Sequence, residues 1–298
     1  MELMFSVITP SFNQGRFIER TIQSVLSQNM ECFEYFVVDG GSTDETVSIL
    51  KKYEPKLRWI SEKDKGQSHA VNKGICATSG EIICWLNSDD IYYPQTFQKV
   101  HRFFQLHPEV DILYGNANNI DENDSNIEAY PTKNWNLKWL KKTCFLCQPA
   151  VFFRRCIIER FGFLDEDLKY CMDYEYWLRL AYAGVKFAYL PKTLSASRVY
   201  SQTKTLGFRL DFHKEINNMM LKRFGRVPDR WLYNYVLVLF ERKKMDRSNL
   251  LLVALSMISK SCFYALRWNR KVSFTMLSSS CKLFCKMLKE VFEKGTAI

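Results

Sequence analysis

The chain is predicted to fold as an α/β protein around a mainly parallel, Rossmann-like sheet flanked by helices, on three observations. Over residues 1–115 short β-type apolar runs alternate with amphipathic stretches, the pattern of successive βα units. Three of those runs break off into polar clusters: Phe5-Ser6-Val7-Ile8 into Thr9-Pro10-Ser11-Phe12-Asn13, Tyr35-Phe36-Val37-Val38 into Asp39-Gly40-Gly41-Ser42-Thr43-Asp44, and Ile82-Ile83-Cys84-Trp85-Leu86 into Asn87-Ser88-Asp89-Asp90. Parallel strands bring their carboxyl ends to one edge of the sheet, where such folds bind ligands, so the three clusters should converge there.

Taken in order, strands are expected near Phe5–Thr9, Tyr35–Asp39, Leu57–Ile60, Ile82–Leu86 and Asp111–Tyr114. Between the first two, Ile18, Ile22, Val25 and Leu26 recur at helical spacing and give one apolar face. Ser42-Thr43-Asp44-Glu45 has the form of a capping box, in which Ser42 accepts from the Glu45 amide, so a helix is expected to start there. Residues 116–150 are less regular. Asn116, Asn118, Asn119, Asp121, Asn123 and Asp124 mark a loop or hairpin before the stretch Trp135–Lys142. Regularity returns at Ala150–Phe153 and in a helix near Asp173–Ala183, with Trp177, Leu178, Leu180 and Ala181 turned inward and Gly184 placed to end it. The expected division is a domain over residues 1–230, in halves of 1–115 and 116–230, followed by a basic amphipathic helical extension over 231–298.

The formal charge is +10, and its distribution is uneven: from Trp231 onward 12 Lys and Arg face 4 Asp and Glu, leaving only +2 for the first 230 residues. A basic, apolar tail points to an anionic surface, either membrane or nucleic acid. Its charges are interleaved with aliphatic runs and not with stacking loops, which favours the membrane and argues against nucleic acid. The run Asn249–Trp268 is interrupted by Ser256, Ser259, Lys260 and Ser261 and is not expected to span a bilayer. In the last segment Met276, Leu277, Phe284, Leu288 and Val291 can share one helix face. The start of the chain does not read as a signal peptide, and its 10 cysteines are expected to be free thiols in a reducing compartment. Cys144 and Cys147 have redox or half-zinc spacing, but without a second pair they read as buried and inert.

Val7-Ile-Thr-Pro-Ser-Phe-Asn13, Val38-Asp-Gly-Gly-Ser-Thr-Asp44, Lys65-Gly-Gln-Ser-His-Ala70, Asn72-Lys-Gly74 and Leu86-Asn-Ser-Asp-Asp90 together resemble the family 2 glycosyltransferases, over about residues 5–205. The resemblance implies the GT-A fold and inverting transfer from a nucleotide-sugar. It implies that Thr9, Pro10, Ser11, Asn13 and Asp39 hold the nucleotide base, usually uracil, and a carboxylate at Asp39 suits an imide N–H by a charge-assisted hydrogen bond. Gly66, Gln67 and Asn72 would line the ribose or diphosphate. The family's usual Asp-x-Asp is here Asn87-Ser88-Asp89, so Asp89 becomes the expected ligand of Mn2+ or Mg2+, with Asp90 auxiliary and Asn87 able only to hydrogen-bond.

On the acceptor side, Cys171-Met-Asp-Tyr-Glu-Tyr-Trp-Leu-Arg179 resembles the family's acidic segment, which makes Asp173 the expected general base and Trp177 its partner. Glu175 lies about 200° further round a helix and should face elsewhere. Gln148 is expected in the sugar pocket. Arg198-Val-Tyr-Ser-Gln-Thr-Lys204 resembles a loop in which the family often places a His on the diphosphate; Tyr200 stands there, with Arg198 and Lys204 as other donors. The expected protein is a metal-dependent transferase, cytoplasmic and peripheral at the inner face of a membrane, moving a sugar from a UDP-linked donor to a glycan or lipid-linked acceptor. A nucleotidyltransferase is disfavoured because the loop after the first strand offers no basic residue before Arg16. The remaining alternative is a non-catalytic nucleotide-sugar-binding subunit, against which Asp89 and Asp173 argue.

Overall fold

The computed structural model describes residues 3–201, 203, 207–242, 250–280 and 282. Two compact units are present, Met1–Leu140 with Cys144–Ser201, and Lys141–Thr143 with Gln202–Ile298, so the first ends before the change of composition at Trp231.

In the first unit, β1 (Phe5–Ser11), α1 (Gly15–Leu26), β2 (Phe33–Asp39), α2 (Thr46–Lys52), β3 (Arg58–Ser61), α3 (Gln67–Cys76) and β4 (Ile82–Trp85) follow one another as βα units. Then come β5 (Ile91–Tyr92), α4 (Thr96–Leu106), β6 (Ile112–Ile120), β7 (Asn126–Ala129), α5 (Leu137–Leu140), β8 (Val151–Arg154), α6 (Cys156–Phe161), α7 (Met172–Tyr182) and β9 (Phe187–Arg198). The sheet order is β3-β2-β1-β4-β8-β6-β9-β5, with β7 paired to β6. β3, β2, β1 and β4 are parallel, and β8 enters antiparallel between β4 and β6. The chain winds outward from β1 in one direction and resumes at β4 on its other side. The switch point therefore lies between β1 and β4, where ligand crevices form.

The core explains these elements. α1 buries Phe17, Ile18, Ile22 and Val25 against a sheet whose Val7, Val37, Ile82 and Cys84 are closed to solvent. α4 adds Phe97, Val100 and Phe104, and Phe97 meets Phe5 edge to face at 5.2 Å. The stretch expected to be loop or hairpin is a hairpin, but Asn116, Asn118 and Asn119 lie inside β6, which runs on beside β9. The expected capping box does not form. α2 begins at Thr46 without a side-chain cap, because the Ser42 hydroxyl is bonded to Asp39 Oδ1 at 2.5 Å. Asp44 caps both ends of this corner instead, taking the Thr46 amide at 3.0 Å and the Gly15 amide of α1 at 2.9 Å.

In the second unit α8 (Arg209–Phe224), α9 (Asp229–Arg242) and α10 (Leu250–Asn269) pack on one another. Asn269 pins the α8–α9 turn through both its amide groups, to the Val227 N–H at 2.8 Å and carbonyl at 2.9 Å. Lys204 and the expected terminal face formed with Phe284, Leu288 and Val291 lie outside the described residues. Among the described residues no helix is long and apolar enough to cross a membrane.

One contact sets how closely α3 approaches the sheet. A Cβ on Gly74 would lie 2.3 Å from Cγ2 of the fully buried Ile8. Alanine at a helical glycine ordinarily gains about 0.5–1 kcal/mol, yet overpacking a closed core costs about 1–3 kcal/mol. Gly74→Ala is therefore expected to lower the denaturation midpoint, and a raised midpoint would contradict this packing.

Candidate active site

The three polar strand ends lie side by side in the order β2, β1, β4, with Ser11 opposite Asp39 and Ile8 opposite Trp85. At the β1 end Thr9, Pro10 and Ser11 are buried, and Thr9 Oγ1 meets the hydroxyl of the core residue Tyr35 at 3.2 Å. The exposed residues are Phe12 and Asn13. Asn13, in the left-handed region at φ 51°, receives the Thr43 amide on Oδ1 at 2.9 Å and gives its own amide to Ser42 at 2.7 Å. The β1 and β2 loops are thereby tied together. Asp39 is fully buried. Its Oδ2 accepts from the Gly41 and Ser42 amides and the Ser61 hydroxyl, at 3.1, 2.8 and 2.6 Å, while Oδ1 carries the Ser42 hydroxyl.

Phe12 escaped the sequence reading. It is 59% exposed although it directly follows a buried strand, and its ring lies beside Gly40 next to Asp64. The signal was available, since an aromatic among small polar residues at a strand end has no core to enter.

After β4, burial alternates: Asn87 and Asp89 are half-buried, Ser88 and Asp90 buried. The Asn87 amide joins four side chains. Its Oδ1 accepts from Gln67 Nε2 at 2.6 Å and Trp85 Nε1 at 3.0 Å, and its Nδ2 donates to Asp90 Oδ2 at 3.1 Å and Gln148 Oε1 at 3.0 Å. Gln148 in turn donates to the Trp85 carbonyl at 2.6 Å. Gln67, Asn87 and Gln148, expected at the site from distant segments, are thus brought together. Thr21 of α1 holds the turn from beneath, donating to the Ser88 and Asp90 carbonyls at 2.9 and 2.8 Å.

Asp90 is pushed up to about 8, by burial first and then by the neighbouring Asp89 charge, so that near neutral pH it holds a proton. Asp89 accepts the Tyr200 hydroxyl on Oδ2 at 3.1 Å. Burial, then Asp89, raises the Tyr200 phenol well above its ordinary value, which keeps it a donor. Arg198 is buried and its guanidinium faces protein. It donates to the Asp89 carbonyl at 2.8 Å and the Asp121 carbonyl at 2.6 Å, pairs with Asp124 at 2.5 Å, and lies over the Phe17 ring at 4.8 Å. Its own amide meets Asp90 Oδ1 at 2.9 Å, so this residue clamps the carboxylate turn to the β6–β7 hairpin. A guanidinium spent this way is not a loose donor for diphosphate.

Two other residues stand away from the cluster. Asn72, expected on the ribose or diphosphate side, uses its buried amide on the loop before α7, bonding the Leu164 carbonyl and amide at 3.0 and 3.1 Å and Glu166 at 3.0 Å. Trp177 lies in the core, edge-on to Phe153 at 5.9 Å. Gly66, at φ 122°, opens α3 with free space above its Cα.

Asp173 occupies the first turn of α7 and is half-buried, whereas Glu175 is fully buried and paired with Arg179 at 3.0 Å. Cys147 links this acid to the β4 turn: burial drives its thiol well up, and Asp90, Cys144 and Asp173 add to the rise. Both thiols of the Cys144–Cys147 pair are raised by burial and are therefore poor nucleophiles and ligands.

A divalent ion fits the donor set. Asp89 offers one half-buried carboxylate, while among the described residues no group of three or more His, Cys, Asp or Glu could hold a metal unaided. Mg2+-type sites commonly use one or two carboxylates and leave the remaining positions to substrate phosphates and water.

Known proteins share sequence and fold with this chain. An uncharacterized glycosyltransferase of Rickettsia felis is 30% identical over 237 residues, covering 74% of this chain and 38% of that protein. A chondroitin synthase of Escherichia coli is 29% identical over 233 residues, covering 74% of this chain and 33% of that protein. The chain thus spans about a third of the length of either relative. S. aureus TarS 1–349 in complex with UDP-GlcNAc has a TM-score of 0.62 at 16% identity, covering 98% of this chain and 92% of that one. The mannosyltransferase PcManGT from Pyrobaculum calidifontis, in complex with GDP-Man and Mn2+, has a TM-score of 0.60 at 16% identity, covering all of this chain and 84% of that one. At such identity the likeness establishes the fold, which is GT-A. The model of glycosyl transferase family 2 matches residues 6–162, more than half of the chain and all three strand-end clusters, and the protein belongs to that family.

Proposed function

We propose that the protein is an inverting, metal-dependent glycosyltransferase that moves a hexosyl or N-acetylhexosaminyl unit from a nucleoside diphosphate, UDP first, to a hydroxyl of a glycan or lipid-linked acceptor. The observation that carries the proposal is the Asn87 junction, which draws Gln67, Gln148 and the Asp89–Asp90 turn together at the switch point of the sheet. The neighbour complexes with UDP-GlcNAc and GDP-Man support a nucleotide-sugar as co-substrate.

In this reading Asp39 fixes the Gly41–Ser42 loop and offers Oδ1, which carries one hydrogen bond, to an imide N–H. The exposed Phe12 ring gives the base a face, a stack worth about 1–3 kcal/mol. Asp89 holds the cation, which supplies neutralisation of charge on the departing diphosphate. Tyr200 orients the Asp89 carboxylate by its hydrogen bond. Asp173 takes the proton from the acceptor hydroxyl, whose oxygen forms a bond to the anomeric carbon as the bond to the diphosphate breaks on the opposite face. The setting is cell-surface polysaccharide or glycoconjugate synthesis at the cytoplasmic face of a membrane; the surplus of 8 positive charges from Trp231 onward supports that placement.

Calorimetric titration with UDP, with and without Mn2+, tests the donor site. Metal-enhanced binding is expected in the wild type and should fall at least about tenfold, a loss of about 1.4 kcal/mol, in Asp89→Ala. UDP binding indifferent to both metal and Asp89 would refute the assignment, and binding of GDP alone would change the nucleotide.

Asp173→Asn should leave nucleotide affinity intact. It should slow UDP release from the best UDP-sugar and acceptor pair by about 10²–10⁴-fold, the usual worth of a general base. Near-normal turnover would remove Asp173 from that role.

Asn87→Asp restores the family's commoner pair of acids, and by motif alone should strengthen metal-nucleotide binding. The geometry demands the reverse. Aspartate keeps the two acceptor bonds but loses both donor bonds and sets a carboxylate against Asp90 Oδ2 and Gln148 Oε1. With each polar group left unpaired costing about 1–3 kcal/mol, Mn2+-dependent UDP affinity is expected to drop about tenfold or more; tighter binding would contradict the junction.

A further inference from the structure

α10 is built inside out for a helix in water. Its buried positions are small or flat, Ala254, Ser261, Ala265 and Trp268, and Val253, Met257, Ile258 and Tyr264 are half-buried, whereas four large apolar side chains point outward. Leu252 is 61% exposed, Leu255 43%, Phe263 58% and Leu266 52%. At roughly 3.6 residues per turn these four fall within an arc of about 80°, with the exposed Ser259 in its middle. An ordinary surface helix turns its apolar stripe to the core and its polar face to water. Exposed apolar surface that is contiguous and has polar flanks marks an interaction site.

Charge decides what the partner is. Residues 250–282 contain no Asp or Glu, while Lys260, Arg267, Arg270 and Lys271 lie along or just beyond α10. Arg267 and Arg270 are exposed beside Leu266, at the end of the apolar arc. A second copy seated on this face would set cation against cation with no acid on α10 of either copy, a cost that grows as water is excluded. An anionic phospholipid surface satisfies both halves of the pattern, taking the leucines and Phe263 into its acyl boundary and the guanidinium groups among its phosphates. We infer that the outward face of α10, centred on Leu252, Ser259 and Phe263, docks the protein on an anionic bilayer, lying in its surface without crossing it. This deepens the membrane placement proposed above and is independent of the donor chemistry.

The test is co-sedimentation of the full-length protein with vesicles of phosphatidylcholine alone and of phosphatidylcholine mixed with phosphatidylglycerol. Binding is expected to the mixed vesicles, to weaken with added salt, and to be slight on the neutral ones. Arg267→Gln with Arg270→Gln should reduce partitioning about thirtyfold, since each cation near such a surface contributes about 1 kcal/mol. Leu252→Asp with Phe263→Asp should abolish it. Ser259→Leu completes the apolar arc and should tighten binding severalfold, a gain that misfolding cannot mimic. UDP titration of the same variants should match the wild type, which separates loss of docking from failure of the donor site. Equal binding to neutral vesicles, no sedimentation with either kind, or a concentration-dependent dimer lost in Leu252→Asp with Phe263→Asp would overturn the inference.

Discussion

An amide has two hydrogens and two lone pairs in its plane, and at Asn87 each of the four is taken by a different side chain. The partners arrive from three parts of the chain. Trp85 and Asp90 flank Asn87 at the end of β4, Gln67 opens α3, and Gln148 precedes β8, and no contact among near neighbours in sequence could bring these together. Because Gln148 also returns a bond to the Trp85 carbonyl, the network closes on itself. A closed set of part-buried bonds has few alternative arrangements, since leaving one donor or acceptor unpaired costs up to about 1–3 kcal/mol. The position of the β4 turn, and with it the carboxylate pair, follows from that closure.

Beyond the amide, the turn after β4 separates two adjacent acids, closed by the Asp90 amide on the Asn87 carbonyl at 3.1 Å. It leaves Asn87 and Asp89 half-buried and carries Ser88 and Asp90 inward. Two ionised carboxylates so close would repel each other, and burial relieves the pair by protonating the inner one, which is pushed up to about 8. The inner acid then serves as framework, bonded by the Arg198 amide and the Asn87 amide, while the outer one stays half-buried. Arg198 makes this stable from the other end of the sheet. It lies 108 positions from Asp90 in sequence yet bonds both the Asp90 side chain and the Asp89 backbone. Arg20 holds the hairpin on which Arg198 leans, donating to the Glu122 carbonyl and pairing with Asp124.

What could be read beforehand was local. Apolar runs ending in polar clusters located β1, β2 and β4, because a buried parallel strand leaves a continuous signature whatever its partners are. The long β9 left no comparable mark: Pro191 and Lys192 interrupt Phe187–Arg198, and its pairing with β6 runs through two register shifts. Asn116, Asn118 and Asn119 signalled a turn and proved to be strand, since pairing on the neighbouring β9 overrides weak intrinsic preference. Ser42 and Glu45 had the spacing of a cap, but Asp39, three residues earlier at the end of β2, takes the hydroxyl instead. Within the site the same division holds. Residue types at strand ends announced Asp39 and Asp89, whereas the use of Arg198 as a clamp and of Asn72 as a loop tie depends on partners about a hundred residues distant.

The acids at the start of α7 show how geometry assigns roles that composition cannot. Asp173 and Glu175 belong to the same helical turn and differ by one methylene, so neither type nor helix dipole distinguishes them. Two positions along a helix amount to about 200°, which sends one side chain outward if the other faces the core. Glu175 goes inward, and there it is acceptable only because Arg179, one turn later, meets it and also binds the carbonyls of Phe161 and Phe163. A buried pair of this kind locks the helix to the loop before it; freed from water, its partners cannot part without leaving an uncompensated charge. The helix is thus fixed about its own axis, and the carboxylate of Asp173 is held at the half-buried side. Orientation of the proposed base is therefore set by the acid that never reaches solvent.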